Sequence, residues 1–391
     1  MPVQKKNGRN VVQSSNRGAD KNRSGFRCAF ARVVILIAAA MVLCGAFTDQ
    51  AAAQFCTFAC TTPPTPPAAS TGNPHLSASN TVTDLGSQFL QRYSAISSYR
   101  NAASANNNPQ GGGADAPAER YRAWFEGYGV AARTSAQDDF TGDKRRTWGG
   151  IAGVAATVAP GFTLGVSVDQ SSTKVDISNF PQSGRIDLTQ VGVNAAYETG
   201  NWIFGGALVY GSGRVHSTRS DTTGQITADY GAQLWGLLGE ASYYISLPNN
   251  SRLVPKVTAD WTTTTTGAFT ETGTANAVSG SRVVTTRARV TAGAEIGHSW
   301  LVDRKLFDVA AYGRLVDNVV QNVGTLTVDN TTGGSAPRLI NGIRESNYGA
   351  DAGIMGSVKI TQLARIYAVY DGRFRGNFVS HTGTAGVEFR W

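Results

Sequence analysis

Gly383-Thr384-Ala385-Gly386-Val387-Glu388-Phe389-Arg390-Trp391 closes the chain, and its alternation decides the fold. Gly383, Ala385, Val387, Phe389 and Trp391 are small or apolar, whereas Thr384, Glu388 and Arg390 between them are polar. Period two is the period of a β-strand, whose side chains point to alternate faces. Upstream, Phe162, Leu164, Val166 and Val168 oppose Thr163, Gly165, Ser167 and Asp169. Leu253, Pro255, Val257, Ala259 and Trp261 oppose Val254, Lys256, Thr258 and Asp260. Such strands fit a soluble sandwich, or a barrel with lipid outside and a polar lumen inside.

The breaks between strands favour the barrel. Strands are expected near 121–134, 145–159, 162–177, 184–199, 201–216, 226–247, 251–270, 281–301, 305–323, 346–360, 363–371 and 379–391. Alternate breaks are long and polar: Ser135–Lys144, Ser178–Ser183, Ser217–Gln225, Glu271–Gly280, Gly324–Glu345 and Gly372–Phe378. The others are tight: Pro160-Gly161, Thr199-Gly200-Asn201, Pro248-Asn249-Asn250, Asp303-Arg304 and Thr361-Gln362. Membrane barrels have even strand numbers, short periplasmic turns and longer external loops. The expected fold is therefore all-β, an antiparallel transmembrane barrel of about twelve strands. Ten or fourteen strands satisfy the same parity. Glu240, Glu295, Glu388 and Arg390 are expected in the lumen, and Tyr197, Trp202, Tyr243, Trp300, Phe307 and Trp391 at the interfacial girdle.

Composition agrees. Mean hydropathy is −0.18, too polar for a helical membrane protein, but a barrel hides from that average because alternate residues face water. The net charge of +8 is concentrated at the start of the chain. Residues 1–53 hold Lys5, Lys6, Arg9, Arg17, Lys21, Arg23, Arg27 and Arg32 against Asp20 and Asp49. The remainder is nearly neutral, so no nucleic-acid face is expected.

Met1–Arg32 is basic, Val33–Phe47 is apolar, and Ala51-Ala52-Ala53 supplies small residues. That is the order of an export signal, with residues 1–53 removed and a mature start near Gln54. An uncleaved anchor is the alternative, though the apolar run is short for spanning. Leu43 before Cys44 and Phe55 before Cys56 do not suit a lipoprotein site. Cys56 and Cys60 would remain after cleavage. In an oxidising compartment the pair is a candidate disulfide, with free thiols or a metal pair as alternatives.

Residues 54–78 are Pro- and Thr-rich and are expected to be extended and exposed. Val82, Leu85, Phe89, Tyr93 and Ile96 then recur at spacings of three and four, a helical stripe over residues 79–100. A helix of that size is roughly 30 Å long, about the thickness of a bilayer core. It fits a periplasmic or dimerising helix, and equally one threaded through a pore. Residues 101–117 read as a flexible linker.

Residues 118–391 resemble the autotransporter translocator domain of type V secretion. The resemblance rests on Trp124-Phe125-Glu126-Gly127-Tyr128-Gly129 and on Leu253-Val254-Pro255 followed by Phe269-Thr270-Glu271-Thr272-Gly273. It rests also on the closing stretch, in which Thr384, Gly386, Phe389 and Trp391 match the signal read by the barrel-assembly machinery. The resemblance implies a Gram-negative outer-membrane barrel with its linker helix in the pore and a passenger outside. It implies barrel-assembly machinery, periplasmic chaperones and outer-membrane lipid as partners, and a monomer. Family passengers are usually large enzymes, adhesins or toxins, whereas residues 54–78 are few. Self-cleaving members use an Asn in the pore helix; Asn106-Asn107-Asn108 lies in the linker, so cleavage is not carried over.

His75, His216, His298 and His381 stand in no metal-binding spacing and adjoin no evident nucleophile. His216 and His381 are the rim candidates for catalysis, but no enzyme activity and no cofactor are expected. Three functions fit such a barrel: anchoring or exporting a very short passenger, a plugged channel or structural barrel, and adhesion through external loops.

Overall fold

The computed structural model describes residues 72–105, 120–303, 305–331 and 336–391, with only the backbone described over 95–105. The expected signal segment, Cys56, Cys60 and the Asn106–Asn108 run lie outside the described residues. Among the described residues no helix is long and apolar enough to cross a membrane, which says nothing of strands that cross.

Twelve strands form the wall. They are β1 (Tyr121–Thr134), β2 (Asp143–Ala159), β3 (Phe162–Ile177), β4 (Gln182–Thr199), β5 (Trp202–Asp221) and β6 (Gly224–Tyr243). They continue as β7 (Ser251–Thr266), β8 (Val283–Val302), β9 (Lys305–Asn322), β10 (Tyr348–Lys359), β11 (Ala364–Arg375) and β12 (Phe378–Arg390). Each pairs antiparallel with the next, and β12 returns to β1 in a register from Arg122 opposite Arg390 to Thr134 opposite Phe378. The sheet therefore has no free edge, which is what a lipid environment demands of a strand-built span. Tight turns at one end use left-handed backbone, as at Asn249 and Asn250 with φ of 58° and 55°. Asparagine tolerates that conformation better than other side chains.

Several expected boundaries shift, for local reasons. The long break expected over Ser217–Gln225 shrinks to Thr222 and Thr223, because the Asp221 carboxylate accepts hydrogen bonds from the Thr223 and Gly224 amides at 2.7 and 2.9 Å. That is a side-chain-closed turn, so β5 and β6 run on as a long hairpin. The run expected to 247 breaks after Tyr243, leaving Ile245–Leu247 folded back on Ser251–Leu253. β7 stops at Thr266 instead of 270. The chain then joins a four-stranded sheet of Arg338–Asn341, Thr325–Asn330, Val278–Gly280 and Phe269–Thr270, built from two breaks read as polar loops and from the last two residues of the expected wall strand 251–270. Its inner face buries Leu326, Val328, Ile340, Val278 and Phe269. This sheet caps the long-loop end.

The hydrophobic alternation also changes sign along β3–β6. Towards the tight turns, Leu164, Val166, Val191, Val193, Leu208 and Leu237 face outward and are exposed, as lipid contact requires. Towards the long-loop end the inward residues become apolar: Val175, Ile177, Ile186, Leu188, Val215 and Leu234 are buried together. Their outward neighbours there are Lys174, Arg185, Asp187 and His216. Above the apolar belt the outward face is polar, while the inward face meets packed protein. A uniformly polar lumen is therefore not what the upper barrel has.

Inside runs the helix α1, Asn73–Ala105. It begins six residues before the expected start at residue 79, so Pro74 to Ala78 are helical, not extended. Proline is tolerated in a first helical turn, where its missing N–H costs nothing, and the Gly72 carbonyl accepts from the His75 and Leu76 amides. Asn101–Ala105, expected in the linker, is helical too.

Candidate functional site

The lumen and its helix form the candidate site. From Asn73 to Ser94 nearly every side chain of α1 is buried, polar ones included. Of the expected stripe, Val82 and Leu85 pack into the upper apolar cluster, and Phe89 and Tyr93 into a lower one with Tyr128, Ile151, Val209 and Leu238. The Ile96 side chain lies outside the described residues. Small residues let the helix approach the wall: Gly86 sits against Leu234, and Tyr93 lies across Gly192.

Contacts with β7 set the direction of α1. Thr83 donates to Thr264 Oγ1 at 3.0 Å, Ser87 to Asp260 at 3.3 Å, and the Ser94 carbonyl accepts from Lys256 at 2.8 Å. The helix descends as β7 ascends, so its N-terminus stands at the long-loop end and its C-terminal half near the tight turns. At the top, Asn73 donates to Thr141 at 3.0 Å, Ser77 donates to Asp143, and Ser79 meets Thr285 at 2.9 Å. Gly72 lies against Leu326 and Ile340 of the cap.

The cap is tied to the helix through His75 and to β5 through Glu271. His75 stacks on Phe269, with ring centroids 3.4 Å apart. Glu271 takes a forked pair of bonds from Arg219 at 2.9 and 2.6 Å and another from the Val278 amide at 2.9 Å. Burial opposes its charge, yet these donors outweigh burial and hold the carboxyl below its ordinary pKa.

Below the cap sits a charged cradle. Asp84, the sole acid of α1, accepts from Arg145 of β2 and Arg287 of β8, each at 2.6 Å. Arg287 also donates to Asn80 at 2.6 Å and meets Glu345 at 2.9 Å, while Arg145 is held by Asp143 at 2.9 Å. One turn lower, Arg289 and Gln91 converge on Asp260, with Arg289 also reaching Ser87. Lower still, Arg92 bonds Glu126 at 2.9 Å and lies over the Tyr128 ring. Buried ion pairs of this kind contribute little net stability but are costly to break. They fix the register of the helix in the barrel.

The helix does not fill the lumen. Between the middle of α1 and the strands β7–β12 and β1 lies a cavity of about 100 Å³, lined by Arg92, Glu126, Arg314, Tyr367 and Asp371 among others. A smaller one beside Arg390 shares Arg365 and Glu388 with it.

The closing stretch is spread over both faces of β12. Thr384 points inward and accepts from Arg92 at 3.1 Å. Gly386 makes room for the Tyr367 ring, which a Cβ there would meet at 2.6 Å. Phe389 and Trp391 face outward and are exposed. Trp391 lies beside Tyr121 and bonds it backbone to backbone across the seam. Of the expected lumen charges, Glu240 meets Lys256, Glu295 meets Arg252, and Glu388 meets Arg365 and Arg390.

The remaining histidines are scattered. His216 bonds Asp229 at 2.9 Å on the outer face, His298 meets Ser251 at 3.0 Å, and His381 meets the Tyr370 hydroxyl at 2.8 Å. Among the described residues no three His, Cys, Asp or Glu side chains gather as a metal site. What the sequence reading missed is the cradle of Asp84, Arg145, Arg287, Arg289 and Asp260. The available signal was a lone helix acid together with inward-parity arginines.

Residues 123–371 match the family model of the autotransporter beta-domain. Among solved structures, the translocator domain of the autotransporter NalP from Neisseria meningitidis is 15% identical, with a TM-score of 0.63. That match covers 82% of this chain and all of that one, and at such identity it speaks for the fold alone. The beta domain of the Bordetella autotransporter BrkA is 16% identical, covers 70% of this chain and all of its own, and has a TM-score of 0.49. No curated protein matches in sequence.

Proposed function

Because this chain belongs to the autotransporter beta-domain family and forms a twelve-stranded barrel of that type, we propose that it sits in a Gram-negative outer membrane and anchors a very short N-terminal segment at the cell surface. One observation carries the reading. The helix enters the lumen from the long-loop end, so the chain ahead of Gly72 must join it from that side. In a membrane barrel the long loops face outward and the tight turns face the periplasm. A monomeric barrel held by the lipid around its belt and inserted by the barrel-assembly machinery fits the closed ring and the exposed Phe389 and Trp391.

A small epitope inserted near Thr65 tests this. Antibody should reach it on intact cells. An epitope reached only after the outer membrane is permeabilised would remove the display reading and leave a periplasmically tethered channel or structural barrel. The assembly role of the last strand has its own test. Phe389→Asp puts a charge on the lipid face, and loss of Trp391 removes a girdle aromatic and one side of the seam. Both variants should leave little heat-modifiable barrel in the membrane fraction, with unfolded chain accumulating in the periplasm. Wild-type amounts of folded barrel would sink the assignment.

A further inference from the structure

Beyond the lipid belt, the outer face of β1–β5 carries a band of exposed cations: Arg133, Lys144, Arg146, Lys174, Arg185 and Arg214. Register sets most of them side by side. Arg133 stands opposite Lys144, Arg146 opposite Lys174, and Lys174 opposite Arg185. Like charges directly opposed across strands are destabilising, so such a row requires a counter-charge. Part is supplied internally, since Asp176 lies 3.2 Å from Lys174 and Asp187 lies 3.1 Å from Arg185. Lys144 stands opposite Asp176 and Arg214 opposite Asp187, whereas Arg133 and Arg146 have no acid opposite them on either neighbouring strand.

The band is concentrated on one side, with Arg282 just ahead of β8 the exposed cation nearest the opposite strands' ends. At the same end, the outward positions of β7–β10 carry Thr263, Thr265, Val284, Thr286, Leu315 and Tyr348, with no cation among them. It is also continuous with the lipid-facing surface. Trp148, 74% exposed, is the outward residue next below Arg146 and rests over Gly129. On β3–β5, Val168, Val191 and Tyr210 mark the upper apolar edge. A protruding tryptophan under a cluster of arginines is the arrangement of an interfacial anchor beneath headgroup contacts.

We propose that this band binds the phosphate groups of an anionic glycolipid in the leaflet around the long-loop end. Arginine forks match phosphate oxygens in pairs, and lysine adds a point charge. The lipid phosphates supply the missing counter-charge, and acyl chains then lie along the apolar belt below. The proposal rests on the outer-membrane reading of the preceding subsection.

The test uses the purified full-length barrel in neutral detergent, with diphosphoryl lipid A and its dephosphorylated form as probes, and native mass spectrometry to count bound lipid. The native barrel should retain the diphosphoryl form and largely lose the dephosphorylated one. Arg146→Ser combined with Lys174→Ser and Arg185→Ser should weaken retention, by roughly fivefold per cation and about 100-fold together. Heat-modifiability reports whether that variant is folded. If it is not, the single change Arg146→Ser, with an expected fivefold loss, replaces it. A matched change on the opposite side, Thr263→Ser, should have no effect. Equal retention of both lipids by the native barrel, unchanged retention by a folded variant, or preference for soluble polyphosphate over lipid each overturns the proposal. A periplasmic epitope would overturn the topology while leaving these measurements in detergent as they stand.

Discussion

Deleting Asn73–Ala105 should raise the single-channel conductance of the purified barrel in a planar bilayer by on the order of tenfold. A helix with its side chains is about 10–12 Å across, and α1 is buried on all sides from Asn73 to Ser94. Beside it lie the two cavities already described, the larger of about 100 Å³. A barrel of twelve strands lies between eight-stranded barrels filled by side chains and sixteen-stranded ones with an aqueous channel. Removing the helix leaves its whole cross-section to ions. It also removes the stack of His75 on Phe269 that seats the cap on the helix. The comparison needs only the full chain and the deletion, both shown folded by heat-modifiability. Equal conductance would mean that the barrel collapses on its own lumen or that the helix is not the plug.

Asp84→Ala should release the helix without dismantling the wall. Asp84 bonds Arg145 and Arg287 at 2.6 Å, and both guanidinium groups are almost wholly buried. Removing one partner of a buried pair costs about 3–5 kcal/mol, because a charge is left without its counterpart. Arg145 keeps Asp143 and Arg287 keeps Glu345, so the low end, about 3 kcal/mol, applies. Amide exchange over the helix should then quicken by on the order of 100-fold, while β4 and β5 keep their protection. Asp84→Asn, which retains hydrogen-bonding groups of the same shape, should fall between. Unchanged exchange in the alanine variant would show that the apolar packing of Val82, Leu85 and Phe89 holds the helix alone.

The barrel was legible because each strand carries its own evidence. β3 stands where the alternation that begins at Phe162 placed it, since every second residue from Phe162 to Val168 must suit lipid, and β1 fills the span expected between the linker and the first long break. The capping sheet was not legible. Its strands run from two to six residues, too short for a period to stand out, and they pair across loops far apart in the chain. Pro74 concealed the helix start, because the same residue serves an extended tail and a first helical turn. The stripe from Val82 to Tyr93 was visible, yet which face of α1 would be buried had no answer, since all of them are. The cradle was hidden for a different reason. Asp84 finds Arg145 at a separation of 61 residues and Arg287 at 203, and no local pattern encodes a meeting that only ring closure brings about.

The direction of α1 has a mechanical consequence. Tension on the chain ahead of Gly72 pulls the helix along its own axis towards the long-loop end. The bonds of Ser77 to Asp143, Asp84 to Arg145 and Arg287, Gln91 to Asp260 and Arg92 to Glu126 are spread along the helix and over four strands, β1, β2, β7 and β8. An axial load is therefore shared among them in shear, and none can be peeled away before the next. Rupture requires the whole set to yield together, as a bolt strips its thread, so the helix resists an axial pull far more firmly than its buried charges taken singly would suggest.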